Sequence, residues 1–325
     1  MISSKTVLVR GAGVAGLCCA VTLAERGFHV VVTEVGSQVG AGASWKAGGM
    51  LAPWCEAEAC GFELETLAAS SPTWWQQHFP ATVMRGTLVL AMARDGRELE
   101  RFARRTRGHE LVGSSQLAAL EPDLGSRFTR GLYYPHEGHL DPRTALMALA
   151  DQLETLGGKV LLAQEAPPNY EFSATVDARG MGSVADVSHL RGVRGEMLLL
   201  RCSGVTLSRP IRLLHPRHPV YVVPRTNDIY MVGATMIETS HRGAISLRSA
   251  VDLMNAIYSL HPNFGDAEIL EMSADLRPSL PDNMPDVSRR GRVVSINGMY
   301  RHGFLMSPRL ATTVADMVDE ICHAV

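Results

Sequence analysis

No apolar run in this 325-residue sequence approaches the roughly 20 residues that would cross a bilayer, so no transmembrane helix is expected. Charge of one sign is missing too. The net charge is −2 with acids and bases interspersed, which argues against a nucleic-acid-binding surface. The densest basic run, 94–107, is broken by Asp95, Glu98 and Glu100 and reads as a solvated helix face. Cysteines are few and wrongly spaced for zinc. Cys55 and Cys60 have no paired Cys/His partner downstream, and adjacent Cys18 and Cys19 read as small packed residues. No metal site and no structural disulfide are expected, and the chain reads as reduced and cytoplasmic. It enters its first strand at once, so no cleavable leader is expected. Repeats, low-complexity tracts and a second G-x-G-x-x-G are absent, so no separate nicotinamide site is evident.

What is present is concentrated between residues 6 and 34. A hydrophobic strand at 6–9 runs into Gly11-Ala12-Gly13-Val14-Ala15-Gly16, an apolar helix at 17–26, a second strand at 28–33 and then Glu34. Gly11 suits the tight turn, Gly13 a close approach of backbone to a pyrophosphate, and Gly16 the packing of helix on strand. The helix N-terminus offers free N–H groups to phosphates, and Glu34 can accept hydrogen bonds from a ribose. The glycines alone are weak evidence; strand, helix and acid around them make a dinucleotide fingerprint. A second small-residue stretch, 36–50, running into Met50-Leu51-Ala52-Pro53, is too glycine-rich for a packed element. It is either a flexible loop or backbone pressed against a large flat ligand. After a dinucleotide turn, the latter is favoured.

Downstream, helices are expected at 63–78, 97–106, 114–120, 142–156, 246–260 and 304–323. Strands are expected at 86–93, 131–134, 159–163, 174–178, 196–201, 220–223, 229–233, 269–275 and 293–297. The order is βαβ, a β-rich middle, then a return to strand and helix. It implies an α/β protein in which a Rossmann-type unit (1–80, 139–182 and 270–325) is interrupted by an antiparallel-sheet substrate unit (81–138 and 183–269). The second glycine stretch favours FAD over NAD. So does a tight loop, residues 298–304, before the last helix, whose N-terminus would stabilise the charge of a reduced flavin. A loop that merely closes the fold is the alternative.

Four blocks then resemble the D-amino-acid-oxidase class of flavoproteins, most closely its glycine oxidase branch, associated with thiamine thiazole synthesis. They are the fingerprint at 11–34; Gly42-Ala43-Ser44-Trp45-Lys46-Ala47-Gly48-Gly49-Met50-Leu51-Ala52-Pro53; Tyr221-Val222-Val223-Pro224-Arg225 with Val232-Gly233-Ala234-Thr235-Met236; and Leu276-Arg277-Pro278 with Asn297-Gly298-Met299-Tyr300-Arg301-His302-Gly303. The resemblance implies a FAD domain covered by the inner face of an antiparallel sheet. It implies FAD contacts at Gly11, Gly13, Val14, Ala15, Gly16, Glu34, Ala43, Ser44, Gly48, Gly49 and Met50, by backbone at Ala166, and at Gly180. The loop Met299, Tyr300, Arg301, His302, Gly303, Phe304 and Leu305 would close over the flavin ring. Arg277 and Arg301 match the family's substrate arginines, Tyr221 a carboxylate-holding tyrosine and Met236 a pocket-lining residue. Arg10 and Lys46 depart from the family pattern. FAD is expected to be non-covalent, since no cysteine lies between Cys202 and Cys322 to tether it.

The chemistry asks little acid–base work of the protein. Flavin accepts a hydride, and the protein holds the substrate's C–H over it. Arg277 offers a planar fork to an α-carboxylate and Tyr221 a hydroxyl donor. Read without the resemblance, Arg277 is as readily a surface ion pair, Tyr221 a half-buried sheet residue, and His302 either a proton relay or a structural loop residue. The expected activity is oxidative deamination of glycine, or of sarcosine or a small D-amino acid, to an imine with hydrogen peroxide. The alternatives are a dehydrogenase passing electrons to a carrier and a non-catalytic FAD-binding subunit. The partners expected are an amino acid and oxygen, with neither nucleic acid nor membrane; a homo-oligomer is left open.

Overall fold

The structure, a computed structural model, describes residues 5–61, 63–165, 171–215 and 219–323. Among these, two large sheets carry the architecture. The first has six strands in the order Asp286–Arg290, Val293–Asn297, Ala174–Asp177, Thr6–Arg10, His29–Glu34, Lys159–Leu162. All neighbours are parallel except the first pair, a hairpin. Its central strands read as Val/Leu runs, and Val7, Val9, Val30, Val32 and Val176 share one core with the helical layer on one face. Helices Val14–Glu25, Pro142–Thr155 and Gly303–His323 pack there, with Leu17, Leu149 and Val314 fully buried.

The second sheet has nine strands and is mostly antiparallel. From Ile237–Glu238 it passes through Arg191–Arg201, Ile229–Gly233, Val220–Pro224 and Ile211–Leu214 to Thr87–Ala91, Arg130–Tyr134 and Glu110–Gly113. Ile211–Leu214 and Thr87–Ala91 run parallel. Helix Leu247–Leu260 covers its outer core, burying Leu253, Ile257 and Leu260. Strand Glu268–Ser279, expected to open the last nucleotide-unit segment, instead pairs along Arg191–Arg201 in this second sheet, from Arg191↔Ser279 to Arg201↔Glu268. Eleven residues of ladder outweigh its chain-order neighbourhood, so the boundary set at 270 falls too early.

Two further expectations need correcting. The helix expected over 63–78 is two, Glu63–Ala68 and Ser71–His78, because Pro72 cannot donate to the preceding turn and starts a new helix instead. Helix Pro53–Cys60, opened by Pro53 and capped by Glu137, whose Oε1 accepts from Trp54 N (3.0 Å) and Cys55 N (2.7 Å), was not expected at all. The last helix contains Pro308, yet continues. The carbonyl its missing N–H would bond, Phe304 O, accepts instead from Trp75 Nε1 (2.7 Å) and Ser71 Oγ (3.4 Å).

Candidate active site

Between the two sheets lies a cleft of about 530 Å³. Its nucleotide side is built by the fingerprint. Gly11 turns at φ +101°, and a Cβ there would meet Ala178 O at 2.6 Å. Gly13 caps helix Val14–Glu25, and Val14 N donates to Ser44 Oγ (3.1 Å). Glu34 ties the turn to the next loop: Oε2 accepts from Ala12 N (2.9 Å) and Oε1 from Gly36 N (3.0 Å). Ala15, Ala43, Ser44, Gly48, Gly49, Met50 and Gly180 also line the cleft. Gly16 does not: a Cβ there would run into Gly11 O, so it serves helix packing. Ala166 lies outside the described residues.

The opposite wall is the inner face of the second sheet. Registers set which side chains share it, since directly opposed residues point the same way. Arg212 stands opposite Tyr221, Tyr221 opposite Gly233, and Gly233 opposite Met197. On strand Glu268–Ser279, Asp275 and Arg277 are two apart and face the same side. Arg277 Nη1 donates to Thr235 O (2.9 Å), and a Cβ on Gly195 would overlap its guanidinium. Tyr221 is packed against Gly48, where a Cβ would come within 2.8 Å of its ring. Burial raises the Tyr221 phenol pKa, offset in part by Arg277, so it remains a proton donor. Arg225 fastens the glycine loop to this sheet by donating to Gly48 O (2.6 Å) and Leu140 O (2.7 Å). Lys46 bridges the same gap, donating to Ala274 O (2.9 Å) and Asp275 (3.1 Å). Its charge is thus accounted for by the facing strand. Arg10 lines the cleft at the end of the first strand.

The loop before the last helix closes one end, with Met299, Tyr300, Arg301, His302, Gly303, Phe304 and Leu305 all in the lining. Tyr300 N donates to Pro278 O (2.9 Å), pinning the loop to the Arg277 strand. Met236, 52% exposed, sits at the mouth with Sδ 3.1 Å from Tyr300 Oη and 3.4 Å from Arg301 Nη1. Glu56, from the unexpected helix, pairs with Arg212 (2.7 Å) and with Arg301, and its carboxylate lies 3.8 Å from His302 Nδ1. Burial pushes the Glu56 carboxyl up, but Arg301 and Arg212 outweigh it and hold it at about 2. Burial, then Arg301, drives the His302 imidazole down to about 3, so it is neutral at ordinary pH.

Residues 6–317 match the model of the DAO family, described as FAD dependent oxidoreductase. This chain belongs to that family. Over 310 residues this FAD-dependent oxidoreductase is 49% identical to the putative thiamine biosynthesis oxidoreductase ThiO of Rhizobium etli, covering 95% of each chain. It is 25% identical to a glycine oxidase of Bacillus licheniformis, over 96% of this chain and 92% of that one. Its fold matches the crystal structure of glycine oxidase from Geobacillus kaustophilus with a TM-score of 0.82 at 23% identity, over 98% of this chain and 95% of that one.

The oxidoreductase's own residues fit FAD. Gly13 and Gly42 present bare backbone to the cleft: a Cβ at Gly13 would meet Ser44 Oγ at 3.2 Å, and one at Gly42 nothing within 4 Å. The helix N-terminus behind Gly13 suits phosphate. No cysteine is among the described lining residues. Sequence reasoning missed Glu56 and Arg212. The only local signal for Glu56 was Pro53 three residues earlier, a helix-start mark, and for Arg212 the alternation of Ile211-Arg212-Leu213.

Proposed function

We propose that this protein catalyses FAD-dependent oxidation of glycine to its imine, with oxygen reduced to hydrogen peroxide, and that the imine supplies thiazole synthesis for thiamine. The observation that carries the reading is Arg277: a guanidinium with no acidic partner among the described residues, facing the cleft beside Tyr221, across from the bare backbone of Gly48. The 49% identity to a putative thiamine biosynthesis oxidoreductase and the likeness to named glycine oxidases support it.

FAD held there would supply the acceptor for the hydride leaving the substrate α-carbon and the route of its electrons to oxygen. The chain's part is to hold and orient. Arg277 grips the α-carboxylate through its free N–H groups, and Tyr221 donates to the same group. Arg301 and Met236 border the remaining space. The cationic wall lowers the substrate ammonium pKa, which frees the amine lone pair. Gly11, Gly13, Val14 and Ala15 would hold the pyrophosphate, Glu34 the ribose, and Ala43 to Met50, Gly180 and 299–305 the flavin. The first sheet carries FAD and the second carries substrate. FAD is held without a covalent bond, in a cytoplasmic protein. No described helix is long and apolar enough to cross a membrane.

Glycine added to the purified yellow protein in air should bleach the flavin transiently and release peroxide. Bleaching without peroxide would point to a carrier dehydrogenase, and no bleaching would sink the reading. Acid precipitation should leave all the colour in the supernatant.

A further inference from the structure

Arg212, Arg277 and Arg301 line the cleft around Tyr221, with Arg242 also in the lining, and among the described residues Arg277 of the first three has no acidic partner. Arg277 binds a backbone carbonyl alone. Arg212 and Arg301 share Glu56: Arg212 Nη1 pairs with Oε1 at 2.7 Å, and Arg301 Nη2 with Oε2. All three members of this triad are largely buried and line the cleft. Arg212 is further fixed by Glu58 (3.5 Å) and lies over the Phe102 ring (5.1 Å). Arg301 Nε is buried without a hydrogen-bond partner, an unused donor beside the occupied ones. The register that opposes Arg212 to Tyr221 puts the triad next to the carboxylate clamp.

Resting on the glycine reading, we propose that Glu56 sets substrate class: it is a built-in carboxylate that fills the Arg212–Arg301 pair and so restricts the cleft to amino acids with a single carboxylate. The physics is a balance of charge. Two buried guanidiniums bridged by Glu56, with Glu58 also on Arg212, leave little unmet demand for anions, and a second substrate carboxylate would meet the like charge of Glu56 at the place where it must bind. Without Glu56, Arg301 loses its carboxylate partner and Arg212 keeps only the longer Glu58 contact, and a ligand carrying a second carboxylate restores the missing charge. Glu56 itself is an anion throughout the working pH range, because both guanidiniums hold its proton off.

Binding tests this without turnover. Holoenzyme is titrated with acetate and with the dicarboxylates malonate, succinate and glutarate, and the Kd is read from the flavin absorbance change. In Glu56→Ala, at least one dicarboxylate should bind about tenfold or more tighter than in wild type, with acetate changed less than about threefold. The neutral isostere Glu56→Gln should fall between, and adding Arg212→Ala to Glu56→Ala should abolish the gain. An unchanged dicarboxylate-to-acetate ratio in both single variants overturns the proposal, as does a gain that survives loss of Arg212. If Glu56→Ala fails to retain FAD, Glu56→Gln decides alone. Because no step of chemistry is read, failure of glycine oxidation in wild type would leave this result standing separately.

Discussion

Arg277 can stand where it does only because Gly195 has no side chain. Two substitutions therefore probe one contact. Arg277→Ala should lower kcat/KM for glycine by about 2–4 kcal/mol of transition-state stabilisation while FAD absorbance per protein stays at the wild-type value. Arg277→Lys should recover part of that, since an ammonium cannot reproduce the planar fork. Gly195→Ala should push the guanidinium aside and raise KM with FAD retained. Near-normal efficiency in Arg277→Ala would mean that the carboxylate is held elsewhere, with Arg301 next in line.

The elements show how much of this was legible in the chain. The fingerprint strand, turn and helix were readable because three glycines, an apolar run and an acid are all local features. Gly13→Val should therefore abolish FAD binding, checked by the colour of the purified protein. Glu56 and Arg212 were not legible. Glu56 rides on a short helix whose cap, Glu137, is remote in sequence, and Arg212 faces the cleft only through its register with Tyr221. Such residues acquire meaning from pairing, which composition and periodicity do not report. The same holds for strand Glu268–Ser279, whose pairing with Arg191–Arg201 cannot be read from its own sequence and which took the Arg277 clamp into the second sheet. The final helix adds a case of its own. Trp75→Phe should leave the Phe304 carbonyl with only the longer Ser71 bond and cost about 1–2 kcal/mol in urea unfolding, because the acceptor stays buried.

At the scale of the whole molecule, buried histidines set the acid limit. His302 and His139 are each pushed down to about 3, in both cases mainly by burial. Their folded pKa values lie below the unfolded one, so the folded state takes up fewer protons as pH drops. Their contribution to stability should be level above the ordinary histidine pKa and be lost as pH drops from about 6.5 toward 3, while Glu137, pushed up to about 8 mainly by burial, contributes the opposite slope between about 4.5 and 8. Thermal melts of wild type and His139→Gln across that range should diverge less as pH drops; a difference between the two that does not change with pH would count against a neutral His139. The cleft, finally, has one wall from each sheet, and the chain crosses between the sheets repeatedly. A dinucleotide seated there touches both, so its binding energy becomes mechanical coupling between the two halves. Stripped of FAD, they should melt in separate, less cooperative steps in scanning calorimetry; reloaded, they should melt as one, at a temperature that climbs with free FAD.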